Sequence, residues 1–253
     1  MHDQAASLDL AFPGKHPLAR LRLLRSRIEG RIVFTTSFGL EDQFLTDLIF
    51  ANDLAIDVAT LDTGRLFPET YAVWAETEQK YGRRIRAYYP STAALEMLIE
   101  TQGVDGQYDS VSARKTCCEV RKVAPLRRAL EGAAAWVTGL RADQSANRRD
   151  TAYVAYDKSF AILKANPLAD WTREQVEGEA TARGVPLNAL HAAGFPSIGC
   201  APCTRAVRPG EDERAGRWWW EADQKKECGL HLTPDGAIAP RRPSEEGDRQ
   251  WSV

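Results

Sequence analysis

The sequence predicts an α/β fold: a mostly parallel open sheet flanked by helices, followed by a C-terminal segment rich in loops. Three observations predict it. Short β-branched and apolar runs alternate with amphipathic stretches of helical length, the pattern of βαβ units. Several of those runs end in small polar, turn-forming residues. A composition of 43% hydrophobic and 27% charged residues over 253 positions is that of an ordinary globular chain with a real core.

Residues 1–15 are expected to fray. A helix is expected from His16 to Glu29, with Leu18, Leu21, Leu24 and Ile28 at helical spacing and Gly30 as its stop. Ile32-Val33-Phe34-Thr35-Thr36 reads as a strand that runs into Ser37-Phe38-Gly39. The helix from about Glu41 carries Phe44, Leu45, Leu48 and Ile49 on one face. Ile56 to Leu61 is the next strand and ends in Asp62-Thr63-Gly64. Pro68 suits the first turn of the following helix. Arg84 to Tyr89 is a strand stopped by Pro90, and Ser91 caps a helix containing Leu95, Met97, Leu98 and Ile99. A helix over Arg114 to Leu130 contains Cys117 and Cys118, and Trp136 to Leu140 is a later strand. Ala152 to Tyr156 and Ala161 to Lys164 read as an edge hairpin, and Thr172 to Arg183 as a helix stopped by Gly184. From Pro186 onward the periodicity fades into Gly-, Pro- and Cys-bearing loops. One domain over residues 1–233 and a mobile tail over 234–253, poor in apolar residues, is the expected organisation.

Composition excludes several function classes. The net charge of −2 offers no electrostatic footprint for nucleic acid or an anionic membrane. No run approaches the roughly 18 apolar residues of a membrane span. Met1 to Leu10 lacks a basic start and an apolar core, so no secretory signal is expected there. Five cysteines, two of them adjacent, make a poor disulfide framework and fit a reducing cytoplasm.

In open α/β sheets ligands sit outside the carboxyl ends of the strands. Ser37 to Asp42, Asp62 to Arg65 and Gly139 to Asp143 are the polar segments at three such ends, so a pocket is expected among them. Ser37-Phe38-Gly39-Leu40-Glu41-Asp42 joins a strand to a helix and can offer backbone N–H groups to phosphate or sulfate. It has no Gly-Lys-Ser/Thr, so it is not a Walker loop. By itself it also reads as a plain turn with an acidic helix start, and Asp62-Thr63-Gly64 as a capped helix start.

The cysteines fall into two close pairs, Cys117-Cys118 and Cys200-x-x-Cys203, plus the odd Cys228. Four thiolates suffice for a [4Fe–4S] cluster or for zinc. The first pair lacks the Cys-x₂₋₄-Cys form usual for zinc, which favours iron–sulfur. Neighbouring residues on a helix point about 100° apart. Two adjacent ligands to one cluster therefore require a kink there or a helix end. Cys228 lies in Lys225-Lys226-Glu227-Cys228-Gly229-Leu230-His231, where cations can stabilise a thiolate. A lone cysteine is also commonly a small buried hydrophobe. Basic groups surround these features: Arg114 to Lys122, Arg141 with Arg148 and Arg149, and Arg214 and Arg217 beside Trp218-Trp219-Trp220. Arginine suits bidentate contact with phosphate or sulfate, and three successive tryptophans cannot all face one core.

The first loop resembles the Ser-Gly-Gly-x-Asp-Ser phosphate loop of the adenine-nucleotide pyrophosphatase-like superfamily; Ser37 and Gly39 match, whereas Phe38, Glu41 and Asp42 depart. Leu61-Asp62-Thr63-Gly64-Arg65-Leu66-Phe67-Pro68-Glu69-Thr70 resembles a block of sulfonucleotide reductases. The Cys-Cys pair, Thr138-Gly139-Leu140-Arg141, Cys-x-x-Cys, Glu211-Asp212-x-Arg214-x-Gly216-Arg217-Trp-Trp-Trp-Glu and Glu227-Cys228-Gly229-Leu230-His231 follow in that family's order, across nearly all of residues 30–232. On these motifs the chain is similar to the assimilatory adenylyl-sulfate reductases of iron–sulfur type. The resemblance implies an adenine nucleotide α-hydrolase-like fold, a [4Fe–4S] cluster on Cys117, Cys118, Cys200 and Cys203, and adenylyl sulfate as substrate. It implies adenosine near Leu61, Asp62, Thr63 and Gly139, with Ser37 and Gly39 in the phosphate loop. Lys122, Arg141, Arg214 and Arg217 are the expected anion ligands, with His231 supporting the thiolate or its loop. Cys228 is the implied nucleophile, and thioredoxin or glutaredoxin, as a separate protein, the implied reductant. Reduction of the 3′-phosphorylated substrate is the near alternative. A tRNA-thiolating enzyme would need an intact phosphate loop and a basic RNA face, and a non-catalytic zinc or iron–sulfur module would be indifferent to Cys228. The sequence leaves the oligomeric state open, a homo-oligomer included.

Overall fold

A computed structural model describes residues 1–221. Its six-stranded sheet is built from β1 (Arg31–Thr36), β2 (Asp57–Leu61), β3 (Arg86–Tyr88), β4 (Ala133–Val137), β5 (Val154–Asp157) and β6 (Ile162–Ala165). The order is β3-β2-β1-β4-β6-β5, with every neighbouring pair parallel except β5 and β6. The chain runs outward from β1 to β3 and then returns to lay β4 on the other side of β1. The order therefore reverses between β1 and β4, and a crevice opens outside their carboxyl ends.

Side-chain alternation along the strands fills both faces of the sheet. Ile32 and Phe34 of β1 join the larger core; Val33 joins the smaller one. The larger core is closed by α2 (Pro17–Arg27), α3 (Leu40–Phe50) and α8 (Arg173–Ala182), through Leu21, Leu24, Phe44, Leu48 and Val176. The smaller core is closed by α7 (Ala124–Leu130) through Leu126, Ala129 and Leu130. The remaining crossovers use α4 (Pro68–Tyr81), with Pro68 in its first turn, and α5 (Thr92–Gln102), capped by the Ser91 hydroxyl accepting from Ala94 N–H. Thr172 and Gln175 make a reciprocal capping box at the start of α8.

Three local expectations are corrected. Residues 1–15 do not simply fray: His2–Ala11 form a helix, α1, with Ala5, Leu8 and Phe12 buried at its base. Ten residues make a marginal helix alone. Burying Leu8 and Phe12 contributes about 3–6 kcal/mol before entropy. Asp9 also accepts from Val154 N–H of the edge strand at 3.0 Å. The helix expected over Arg114 to Leu130 starts earlier and changes pitch midway: α6 (Val111–Cys118), a π-helical stretch (Glu119–Val123) and α7 follow one another without a break. The strand expected from Trp136 to Leu140 is instead Ala133–Val137. Thr138 to Leu140 leave the sheet to form the crevice wall.

Candidate active site

A cleft of about 180 Å³ lies at the carboxyl ends of β1, β2 and β4. Its first wall is the turn from β1 into α3. Phe38 there holds a left-handed backbone (φ 59°), with its ring fully buried and stacked on Trp74 at 5.4 Å. A non-glycine residue in that region is strained, and such strain persists only where packing enforces it. The turn is closed by Asp42, whose Oδ2 accepts from both the N–H and the hydroxyl of Ser37 at 2.7 Å. Ser37 and Gly39 both line the cleft, but the Ser37 N–H is already engaged by a carboxylate.

Packed against this turn stands Gly139. A Cβ on this residue would overlap Asp42 Oδ1 and stand 3.0 Å from Glu41 Cβ. Only the missing side chain lets the β4 loop approach the start of α3 so closely. Burial pushes the Asp42 carboxyl up to about 6; the two Ser37 hydrogen bonds and Arg148 oppose that rise, and Glu41 adds to it. Gln144 Oε1 accepts from Arg148 at 2.5 Å and from Arg141 N–H at 3.2 Å, which fixes the loop after β4.

Of the residues expected to meet substrate, Ser37, Gly39, Leu61, Lys122, Gly139, Arg214 and Arg217 all line this cleft. Arg217 is buried, donates to Ile198 O at 3.3 Å and lies over the Trp218 ring at 4.8 Å. Its guanidinium rests on Gly199, where a Cβ would come within 2.5 Å of Arg217 Cζ. Arg217 Nε is buried without a partner. Trp218 has a left-handed backbone (φ 42°) and is enclosed between Arg114 and Arg217, whereas Trp219 is half exposed. The tryptophans thus divide between packing and surface.

Three expected contacts sit elsewhere. Arg141 does not line the cleft: its side chain is fully buried and bonded to Glu41, Asp143 and Glu213. Asp62 accepts from Gly64 N–H and Tyr71 hydroxyl at 2.8 Å each, and so shapes a turn. Thr63, fully buried, places its hydroxyl 3.3 Å from Cys200 Sγ and its carbonyl under Arg121. Thr63 therefore faces the thiols, while Asp62 fixes the turn that carries it. Cys228, His231 and the tail 234–253 lie outside the described residues.

A second, smaller cavity adjoins the first and is lined by Cys117, Cys118, Cys200 and Cys203. The fold brings together two pairs separated by 81 residues. Cys117 and Cys118 are the last residues of α6, immediately before the helix widens into the π stretch Glu119–Val123. Cys200 and Cys203 flank a single 3₁₀ turn, Ala201–Cys203. None of the four is in a disulfide. Trp218 N–H donates to Cys203 O at 3.1 Å, and Thr204 pairs with Arg217, so the second thiol pair is tied to the cleft arginine.

Charge around the thiols is uneven. Burial works to raise Cys200, yet Lys122, the Thr63 hydroxyl, Arg217 and Arg121 together bring it below the ordinary thiol value. Burial and the neighbouring Cys200 push Cys203 up to about 11, and burial also raises Cys117. Four adjacent thiols cannot all ionise without added positive charge. Arg121, which lines this cavity, has a buried Nε without a partner. Among the described residues no three His, Cys, Asp or Glu side chains converge on a single-ion position. Lys122 lines both cavities.

Sequence reading alone does not single out Trp136, Gln144 or Glu213, all of which line the cleft. No motif marks Trp136, which is core-like in sequence and is held by Thr35 at 2.8 Å with Lys164 over its ring. Arg148 carried one signal, its place in a basic group after β4.

The model of the phosphoadenosine phosphosulfate reductase domain matches residues 31–206. An adenosine 5′-phosphosulfate reductase of Rhizobium meliloti (strain 1021) is 52% identical over 236 residues, 93% of this chain and 86% of that protein. One from Allochromatium vinosum is 51% identical over 213 residues, covering 84% and 82%. Among solved structures, a phosphoadenylyl-sulfate reductase from Candida auris in complex with phosphate superposes with a TM-score of 0.69 at 26% identity, covering 82% of this chain and 98% of that one.

Proposed function

The chain belongs to the phosphoadenosine phosphosulfate reductase domain family, and from that premise we propose that it reduces adenylyl sulfate to sulfite and AMP in sulfate assimilation. The observation that carries the reading is a strand-end cleft lined by Lys122, Arg148, Arg214 and Arg217 directly beside four gathered thiols. The cleft supplies cations for a phosphosulfate anion. Relatives at about half identity over most of their length, named for adenosine 5′-phosphosulfate, favour that substrate over its 3′-phosphorylated form.

The proposed chemistry is two thiol steps. Cys228 thiolate attacks the sulfate sulfur; an S–S bond forms, the S–O bond to AMP breaks, and AMP leaves with its charge held by the cleft cations. The product is S-sulfocysteine. A thiolate of thioredoxin or glutaredoxin then attacks Cys228 Sγ and releases sulfite, and the second thiol of that reductant resolves the mixed disulfide. The reductant's dithiol supplies both electrons. Such exchange belongs in a reducing cytoplasm.

Cys117, Cys118, Cys200 and Cys203 are proposed to hold a [4Fe–4S] cluster. Their surroundings fit one. The four thiols line one cavity, their mutual repulsion calls for a polycation, and the unpartnered Arg121 Nε could offer an N–H to a sulfide. The cluster would supply fixed charge beside the substrate anion, with Lys122 between the two.

The test is purified protein, a dithiol reductant and each sulfonucleotide. Sulfite is expected from adenylyl sulfate and is lost in Cys228→Ser. Undiminished sulfite release by that variant refutes the covalent route. A colourless protein with stoichiometric zinc and no iron removes the cluster.

A further inference from the structure

Arg141 is the most completely buried arginine beside the cleft, and its bonds reach three different segments. Its Nε donates to Glu41 Oε1 at 2.7 Å, on the first turn of α3. One terminal nitrogen pairs with Asp143 in its own loop. The other lies 3.2 Å from both carboxylate oxygens of Glu213. Glu213 is held a second time by Arg173 at the start of α8, at 2.6 Å, and Arg173 also donates to Pro196 O at 3.3 Å on the cleft rim. Glu213 belongs to a compact turn in which Ala215 N–H donates to Asp212 O and Arg217 N–H to Arg214 O, both at 2.9 Å. That turn carries Arg214 and Arg217 into the cleft.

The charges have a consequence for an anion site. Glu41 and Glu213 both line the cleft, and Asp143 stands behind them. Left uncompensated, these carboxylates would repel the anion that Arg214 and Arg217 attract, and would repel one another. Arg141, with five donors in a rigid fork, can bond all three at once; a lysine ammonium cannot span them.

We propose that Arg141 is a positioning residue: it neutralises the Glu41 and Glu213 carboxylates on the cleft wall and holds the Arg214–Arg217 turn against the strand ends, without itself touching substrate. The inference rests on the reading that the cleft receives the phosphosulfate of adenylyl sulfate.

A double-mutant cycle tests it, with KM and kcat for adenylyl sulfate and the Kd of AMP measured for each protein. In Arg141→Gln the expected change is a rise of about tenfold or more in KM with kcat within about threefold, the signature of lost binding. Adding Glu213→Gln removes a cleft carboxylate then compensated by Arg173 alone and brings KM back down, a coupling that an arginine contacting substrate would not show. A KM for the double variant equal to or above that of Arg141→Gln overturns the proposal. If Arg141→Gln does not fold, Arg141→Lys takes its place in the cycle; a wild-type KM in Arg141→Lys also overturns it. Wild-type turnover tests the substrate reading separately, and the AMP cycle judges Arg141 by the same criteria even if adenylyl sulfate is not turned over.

Discussion

Asp42 is a carboxylate that the fold makes expensive to ionise, and replacing it with asparagine should stabilise the protein at neutral pH. Its carboxyl is raised to about 6 in the folded protein, chiefly by burial, against an ordinary value of about 3.9. The folded state therefore holds this proton more tightly than the unfolded one. Its contribution to stability is fully present below about pH 4 and is lost as pH rises through 6. A shift of about two units corresponds to about 3 kcal/mol, and the partial opening of Asp42 to the cleft reduces this to about 1–2 kcal/mol. Asparagine keeps an oxygen to accept from the Ser37 N–H and hydroxyl, both 2.7 Å from the present carboxylate. Urea unfolding of wild type and Asp42→Asn at pH 4 and pH 7.5 measures the effect, and differencing cancels groups common to both. The expected result is a variant gaining about 1–2 kcal/mol relative to wild type between the two pH values. A difference independent of pH, or one favouring wild type more strongly at pH 7.5, refutes the reasoning.

Two further substitutions probe the close approaches at the cleft. Gly139→Ala drives a methyl into Asp42 Oδ1; it should cost about 1–3 kcal/mol, read as a lower urea midpoint at unchanged slope, and an unchanged midpoint counts against the packing described. Gly199→Ala displaces the Arg217 guanidinium from its seat. About a tenfold rise in KM for adenylyl sulfate is expected from one weakened arginine–anion contact, with the urea unfolding midpoint little changed; a KM within twofold of wild type would show that Arg217 does not need that seat.

The sequence by itself determined the alternation of strands and helices, the strand ends that form the cleft, and the chemistry available there. These are local properties: a period of two or 3.6 residues, a proline in a first turn, a serine cap, cysteines in pairs. Lys122, Arg214 and Arg217, expected as anion ligands, line the cleft. Tertiary structure alone decided where certain side chains point. Arg141 lies in the same kind of basic strand-end segment as Arg148, yet packing against α3 and the Glu213 turn buries it among carboxylates while Arg148 reaches the cleft. Thr63 turns to Cys200, because the turn after β2 lies against the 3₁₀ turn of the second thiol pair. The helix at the N-terminus exists because an edge strand 145 residues away along the chain offers it Val154 N–H and an apolar bed. Partners so distant in sequence leave no local signal, since their energy appears only once the chain has closed on itself.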